Sequence, residues 1–386
     1  MRIISMISYD LTMILFLLTL LIVCVAAILY PFLIYPALLQ GLRVQPVAPR
    51  SGERLHSASL LFCAYNESAA MPEKIANLVA IKAVHPDLQI LAFDDGSSDD
   101  TARQLAARSD ILTLVRGNRS GKAHGMKRLA AMATGDVLIF TDANVVLTPE
   151  SVAKLLAYYH DASVGGVLGS LHYVQDESSA TASVGQSYWK LEERLKDLES
   201  RSGNVLGADG SIFSIRHALY PEFPDTVLDD LTVSMAVIFA GKRLIKVSDV
   251  VAHERLVAGR KDEYRRKVRI AARAWHTHLY LRPQLRRMPL IDRFKYASRK
   301  IVRWFGAIFL LVGGLAALGL AGMIDVRFAL VLALGGAIML SLGLLSDTGI
   351  LAKVADIVLA YLATLQGIIR AMRGKTFAVW NPAKSR

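Results

Sequence analysis

Carboxylates stand in this chain where short apolar runs stop. The segment LQILAFDDGSSDDTARQL, residues 88–105, carries an apolar stretch into Asp94, Asp95, Gly96 and a set of hydroxyls. Glu67 follows a similar run in AYNES, and Asp142 follows another in TDAN. An ionised carboxylate only accepts hydrogen bonds, which suits it to the ring N–H of a pyrimidine and to ribose hydroxyls. Beside a diphosphate it is useful when a divalent cation bridges the two. A nucleotide with a metal ion satisfies both conditions. A helix cap is the competing account of the same stretch, with Ser98 or Asp99 closing a helix that starts near Asp100. The usual phosphate-cradling signatures are missing: no G-x-G-x-x-G follows a strand, and RGNRSGKAH lacks the first glycine and the final Ser or Thr of a P-loop.

The elements that would position these residues alternate. SLLFCA, LQILAF, ILTLVR and DVLIFT read as buried strands; KIANLVAIKAV, DTARQLAARS, KAHGMKRLAAMA and PESVAKLLAYYH read as helices. The order βαβαβαβα predicts a doubly wound, mostly parallel α/β sheet, whose ligands bind outside the carboxyl ends of the strands. AYNES, DDGSSDDT, GNRSGK and TDAN each follow one of the four strands, so four loops converge on one crevice.

AYNE, DDGSSDDT, GKAHGM, GDVLIFTDANVVL and GADGSIFSIR together resemble the family-two inverting glycosyltransferases of GT-A fold. The chain is similar to their membrane-embedded branch, which includes hyaluronan, chitin-oligosaccharide, poly-N-acetylglucosamine and cellulose synthases. The resemblance implies that Asp94 and Asp95 hold the nucleoside of a sugar nucleotide, with Tyr65, Glu67 and Lys122 as further nucleotide contacts. It implies that Asp142 binds Mg2+ or Mn2+ at the diphosphate, with Asn144 in place of the second acid of a D-x-D motif. Asn144 offers an amide oxygen and no charge.

An inverting transfer needs a base for the acceptor hydroxyl. The resemblance assigns that role to Asp230 of the pair Asp229-Asp230; acids favoured in a first helical turn are the bland alternative. Gly207 and Asp209 of GADG are implied to line the acceptor, against a plain turn. Arg266 and Arg269 stand where the branch has Q-x-x-R-W, so Arg269 is implied to bind the diphosphate; Ile270 replaces the tryptophan that would stack on the acceptor.

Composition adds the membrane. With 386 residues, 53% hydrophobic and mean hydropathy +0.37, the chain is too apolar for an ordinary soluble protein. No charge occurs over residues 11–39, enough for a span; a cleaved signal peptide is the alternative, opposed by the absence of a polar cleavage region. Residues 304–323 and 328–345 read as a membrane hairpin, while 350–369 holds Lys353, Asp356 and Gln366 and reads as lying in the interface. Residues 253–303 hold 16 Lys or Arg against 4 Asp or Glu, a net +12 equal to that of the whole chain.

Such a block before a span predicts a cytoplasmic domain facing anionic headgroups, with nucleic acid the weaker reading. Cys24 and Cys63, the only cysteines, form no disulfide framework and agree with a reducing compartment. The expected layout is an anchor over 1–40, a linker over 41–56, a GT-A domain over 57–288, an interfacial helix over 289–303, a hairpin over 304–346 and an interfacial or third membrane helix with a basic tail over 347–386.

The function expected is transfer from a nucleotide sugar, a UDP-sugar by the resemblance, to a glycan or lipid-linked acceptor in making a surface or secreted polysaccharide. A polyprenyl-phosphate sugar transferase and a catalytically silent nucleotide-sugar-binding subunit are the alternatives. With few spans in one chain, export would call for a homodimer or a partner protein.

Overall fold

The computed structural model describes residues 2–50, 56–174, 179–255, 259–377 and 379. Part of the expected linker (51–55) and the end of the basic tail (380–386) lie outside the described residues. In chain order the elements are α1 (Arg2–Leu29), a π-helical turn (Tyr30–Ile34), α2 (Tyr35–Gln40), β1 (Ala58–Ala64), α3 (Met71–Val84), β2 (Gln89–Asp94), α4 (Thr101–Ala106), β3 (Thr113–Arg116), α5 (Lys122–Met132) and β4 (Val137–Thr141). There follow β5 (Val146–Leu147), α6 (Ser151–Leu156), β6 (Val164–Val174), α7 (Ala180–Arg201), β7 (Ile212–Arg216), α8 (Asp229–Phe239), β8 (Arg243–Arg255), α9 (Arg260–Leu285), α10 (Leu290–Tyr296), α11 (Val302–Trp304), α12 (Gly306–Ile324), α13 (Val326–Leu345) and α14 (Gly349–Met372).

The sheet has eight strands in the order β3-β2-β1-β4-β7-β6-β8-β5. β1, β2, β3 and β4 pair in parallel as the alternation predicts, and β6 pairs in parallel with β8. β7 runs antiparallel to both β4 and β6, and β5 antiparallel to β8, so the sheet is mixed and mostly parallel. Successive residues of a strand point to opposite faces. Leu60 and Phe62 of β1 therefore join Met71, Leu78 and Ile81 of α3 in one core, while Leu61 and Cys63 join Met126 and Leu129 of α5 in the other.

Among the described residues four helices are long and apolar enough to cross a membrane: residues Leu11–Gln40, α12, α13 and α14. α1 meets α12 where a Cβ at Gly313 would sit 3.0 Å from that of Cys24, the small-residue contact that lets membrane helices pack closely. α14 lies along α9, so closely that a Cβ at Gly367 would be 2.4 Å from the Val268 carbonyl oxygen.

The segment 289–303, expected as an interfacial helix, has Arg293 exposed. Lys295 and Arg299, by contrast, are buried. Lys295 Nζ donates to the carbonyls of Glu199, Ser202 and Asn204 at 3.0–3.2 Å. Arg299 bridges Glu199 (2.7 Å) and Glu192 (3.1 Å), and Arg303 pairs with Glu192. Tyr35 of α2 donates to Glu199 at 2.7 Å, so the network joins α2 and α7 to the segment leading into α12. Buried acids on α7 are the physical reason: they draw the cations inward.

Candidate active site

The four predicted loops do meet at the carboxyl ends of β1 to β4, and hydrogen bonds lace three of them together. Asn66, at φ +51°, takes up Ser97 Oγ on its amide N–H at 3.0 Å, and its side-chain oxygen accepts from Ser98 N at 2.8 Å. Glu67 N donates to Thr101 Oγ1 at 2.9 Å. Asp99 accepts from Thr101 N at 3.0 Å and from Ser68 N at 3.1 Å, so it closes the start of α4 and also ties the β1 loop to it. Burial alone would raise the Asp99 carboxyl, and these hydrogen bonds outweigh it and hold it below its usual range.

The paired acids divide their work. Asp95 is fully buried and accepts from Ser120 N (2.6 Å) and Gly121 N (3.0 Å), with Arg119 at 3.2 Å. It thereby fixes the loop that launches α5 at Lys122. Asp94, 3% exposed, is reached by Ser97 N at 3.4 Å. The Arg119 guanidinium lies over the Tyr65 ring, 3.2 Å from its centroid.

A second cluster lies beside it. Lys122 Nζ contacts Asp142 Oδ1 at 2.6 Å and Asp229 Oδ2 at 3.8 Å, so the β3 loop, the β4 loop and the start of α8 converge on one ammonium. Burial pushes that ammonium down; Asp142, Asp229 and Asp230 outweigh it and hold Lys122 above its ordinary value. A Cβ on Gly210 would lie 2.8 Å from Lys122 Nζ and 3.1 Å from Asp142 Oδ2, so glycine keeps that side of the pair open. Gly207, at φ +93°, has no room for a Cβ against Leu231, and Ala208 N donates to Ser234 Oγ at 2.9 Å. GADG is thus held between the β4 loop and α8. Asp209 turns away to pair with buried Lys196 of α7; burial raises its carboxyl, and Lys196 more than reverses this.

Asp230 has its carboxyl raised to about 6, by burial first and by the neighbouring Asp229 second. Its Oδ1 accepts from Leu231 N at 2.6 Å. Arg273 of α9 is 4% exposed and approaches Asp229 Oδ1 at 3.8 Å while donating to the Val227 carbonyl. The sequence reading did not single out Arg273; its signal was one helical turn beyond Arg269, seven residues beyond Arg266. Arg266 contacts Glu263 at 3.3 Å and lies in the field of Glu254, to which Asn144 Nδ2 donates at 3.1 Å. Arg269 is half-buried on the same helix.

Lys74, also missed, sits 1% exposed on α3 and donates to the carbonyls of Asp142 (3.0 Å) and Val145 (2.7 Å). It holds the turn that presents Asp142, and burial lowers its ammonium to about 7.

Among the described residues no group of three or more His, Cys, Asp or Glu side chains is placed to hold a metal ion. Asp142, beside the space left by Gly210, offers one carboxylate to a cation shared with a diphosphate, a kind of site that needs one or two protein carboxylates, while the Asn144 amide is tied to Glu254. They do not make a cage of protein ligands.

With the fold and this cluster of side chains described, the chain can be compared with known proteins. Residues 59–223 match the model of the family Glycosyl transferase family 2. The fold is similar to that of the mannosyltransferase PcManGT from Pyrobaculum calidifontis, solved with GDP-Man and Mn2+: TM-score 0.70 and 21% identity over 93% of this chain and 99% of that one. In sequence, the chain is 29% identical over 111 residues to undecaprenyl-phosphate 4-deoxy-4-formamido-L-arabinose transferase of Enterobacter sp. (strain 638), covering 27% of this chain and 34% of the relative. It is 22% identical over 201 residues to poly-beta-1,6-N-acetyl-D-glucosamine synthase of Staphylococcus aureus, covering 50% and 48%. The chain spans half or less of the length of the curated relatives it matches.

Proposed function

We propose that the protein is a membrane-anchored inverting glycosyltransferase that moves a sugar from a nucleotide sugar, a UDP-sugar, to a glycan or lipid-linked acceptor in cell-surface polysaccharide assembly, with its catalytic domain on the cytoplasmic side. The observation that carries this reading is the meeting of Lys122, Asp142, Asp229 and Asp230 at the carboxyl end of the sheet. Asp230 accepts the proton of the acceptor hydroxyl as its oxygen attacks the anomeric carbon and the bond to the diphosphate breaks on the opposite face. A carboxylate raised to about 6 is largely ionised at neutral pH and basic enough to serve. Lys122, with Arg273 behind Asp229, supplies positive charge where the diphosphate leaves. Asp142 would hold a divalent cation, whose chemistry is to offset charge on the leaving diphosphate. Asp94 and Tyr65, with Glu67, face the nucleoside.

The test is UDP release from purified, membrane-reconstituted protein over a panel of UDP-sugars, with and without Mg2+ or Mn2+, beside Asp142→Ala. Metal-dependent release with one sugar, lost in the variant, is expected; UDP binding without release from any donor would favour the silent-subunit reading. A polyprenyl-phosphate acceptor is the second reading, favoured by the similarity to the undecaprenyl-phosphate transferase. A lipid phosphate needs no strong base, so on that reading Asp230→Asn would retain most activity.

A further inference from the structure

A cleft of about 450 Å³ opens between the end of α9 and α10, away from the acids of the site. Its lining combines Leu285, Met288, Tyr296 and Ile301 with Arg282, Arg286 and Arg293. The apolar part is continuous with the domain core, to which Leu285, Met288 and Tyr296 belong. The three arginines are exposed and, among the described residues, none has a carboxylate within ion-pair distance. That sets them apart from Arg299 and Arg303 of the same segment, which are neutralised by Glu192 and Glu199. Leu290, at the lip, is 79% exposed.

The position of the cleft in the chain limits what fills it. Ile301, in its wall, precedes α12 by five residues, roughly 8 Å of helix. The polar layer on each side of a bilayer is about 5–8 Å deep. A cleft there faces headgroups, and guanidinium forks match phosphate oxygens in geometry as well as charge. An inorganic phosphate would leave the apolar wall unused; a hydrocarbon chain would cover it.

We propose that the cleft formed by Arg282, Arg286 and Arg293 over Leu285, Met288, Tyr296 and Ile301 is a binding site for one anionic membrane lipid, its phosphate held by the arginines and its chain laid on the apolar wall. The site is distinct from the donor site, and binding is measurable without sugar transfer, so it stands whether or not the transferase reading holds.

The experiment is native mass spectrometry of the full chain in detergent, incubated in turn with phosphatidylglycerol, a polyprenyl monophosphate, phosphatidylcholine and inorganic phosphate. One acidic lipid retained per chain is expected, with about tenfold or greater loss of affinity in the triple variant Arg282→Gln, Arg286→Gln, Arg293→Gln and a loss in Leu290→Glu. The triple variant Lys261→Gln, Arg265→Gln, Arg373→Gln removes the same charge from exposed positions elsewhere and is expected to bind as the parent does. Preference between the two acidic lipids identifies which supplies the phosphate, and either supports the site. Equal loss in both triple variants, equal retention of phosphatidylcholine, or displacement of the lipid by inorganic phosphate would overturn it.

Discussion

At the scale of single residues, Asp230 and Lys74 carry the sharpest consequences. Asp230→Asn removes the proposed base and should lower kcat by about 10²–10⁴-fold while leaving UDP affinity nearly unchanged, measured by turnover and by calorimetric titration. The same change bears on stability. The Asp230 carboxyl is raised in the fold, so the native state binds the proton more tightly; the resulting stability is full below the unfolded value near 4 and lost as pH rises through about 6. Above pH 6 the asparagine variant should therefore unfold at higher denaturant than the parent, by roughly 1–3 kcal/mol, and the difference should shrink on acidification. Lys74→Met leaves two buried carbonyls without their donor and should cost about 1–3 kcal/mol. Because those carbonyls belong to the turn of Asp142, metal-dependent UDP binding should weaken along with stability, whereas a purely structural lysine would leave affinity intact in the folded fraction.

At the scale of elements, α8, α9 and the GADG loop form one unit around the acid pair. Gly210→Ala should press on Lys122 and Asp142 and weaken nucleotide binding, whereas Ala at exposed Gly314, with nothing within 4 Å of its Cβ, should leave binding unchanged; a titration of both variants decides. Much of this arrangement was readable beforehand. Strands β1, β2 and β4 are buried, mostly apolar runs ending in polar clusters, because a parallel strand inside the sheet is covered on both faces and its ligand loop begins where cover ends. The antiparallel β7 was not readable: IFSIR looks like any short buried strand, and its direction is set by packing between β4 and β6. Arg273 was hidden for a related reason, since α9 offers arginines and lysines at many helical spacings and only tertiary contact selects one. Lys74 within MPEKIANLVAIKAV reads as a solvated lysine; the carbonyls that bury it come from a loop about seventy residues away.

At the scale of the whole molecule, two sets of polar contacts join the domain to its anchors. Glu192 and Glu199 of α7 link Tyr35 of α2 to Arg299 and Arg303, and Arg260 at the start of α9 donates to the carbonyls of Leu344 and Ser346 at the end of α13, both at 2.8 Å. Glu199→Gln removes one of the two acids that pair with buried Arg299 and should destabilise the protein by about 3–5 kcal/mol, read as a lower unfolding midpoint in detergent. The packing of α14 along α9 supports a place for α14 on the domain side of the membrane. Both native cysteines are buried, so introduced cysteines report topology against a quiet background. On this reading an impermeant maleimide applied to intact cells labels Asp325→Cys and spares both Ser346→Cys and Lys375→Cys; labelling at Lys375→Cys would mean that α14 crosses.

The most direct test of the central claim is the pH dependence of kcat/KM for sugar transfer by the parent and by Asp230→Asn. The parent should gain activity with pH through an apparent pKa near 6, and the variant should lose both that limb and at least about a hundredfold in rate. An Asp230→Asn enzyme with near-parental rates and the same acid limb would contradict Asp230 as the base.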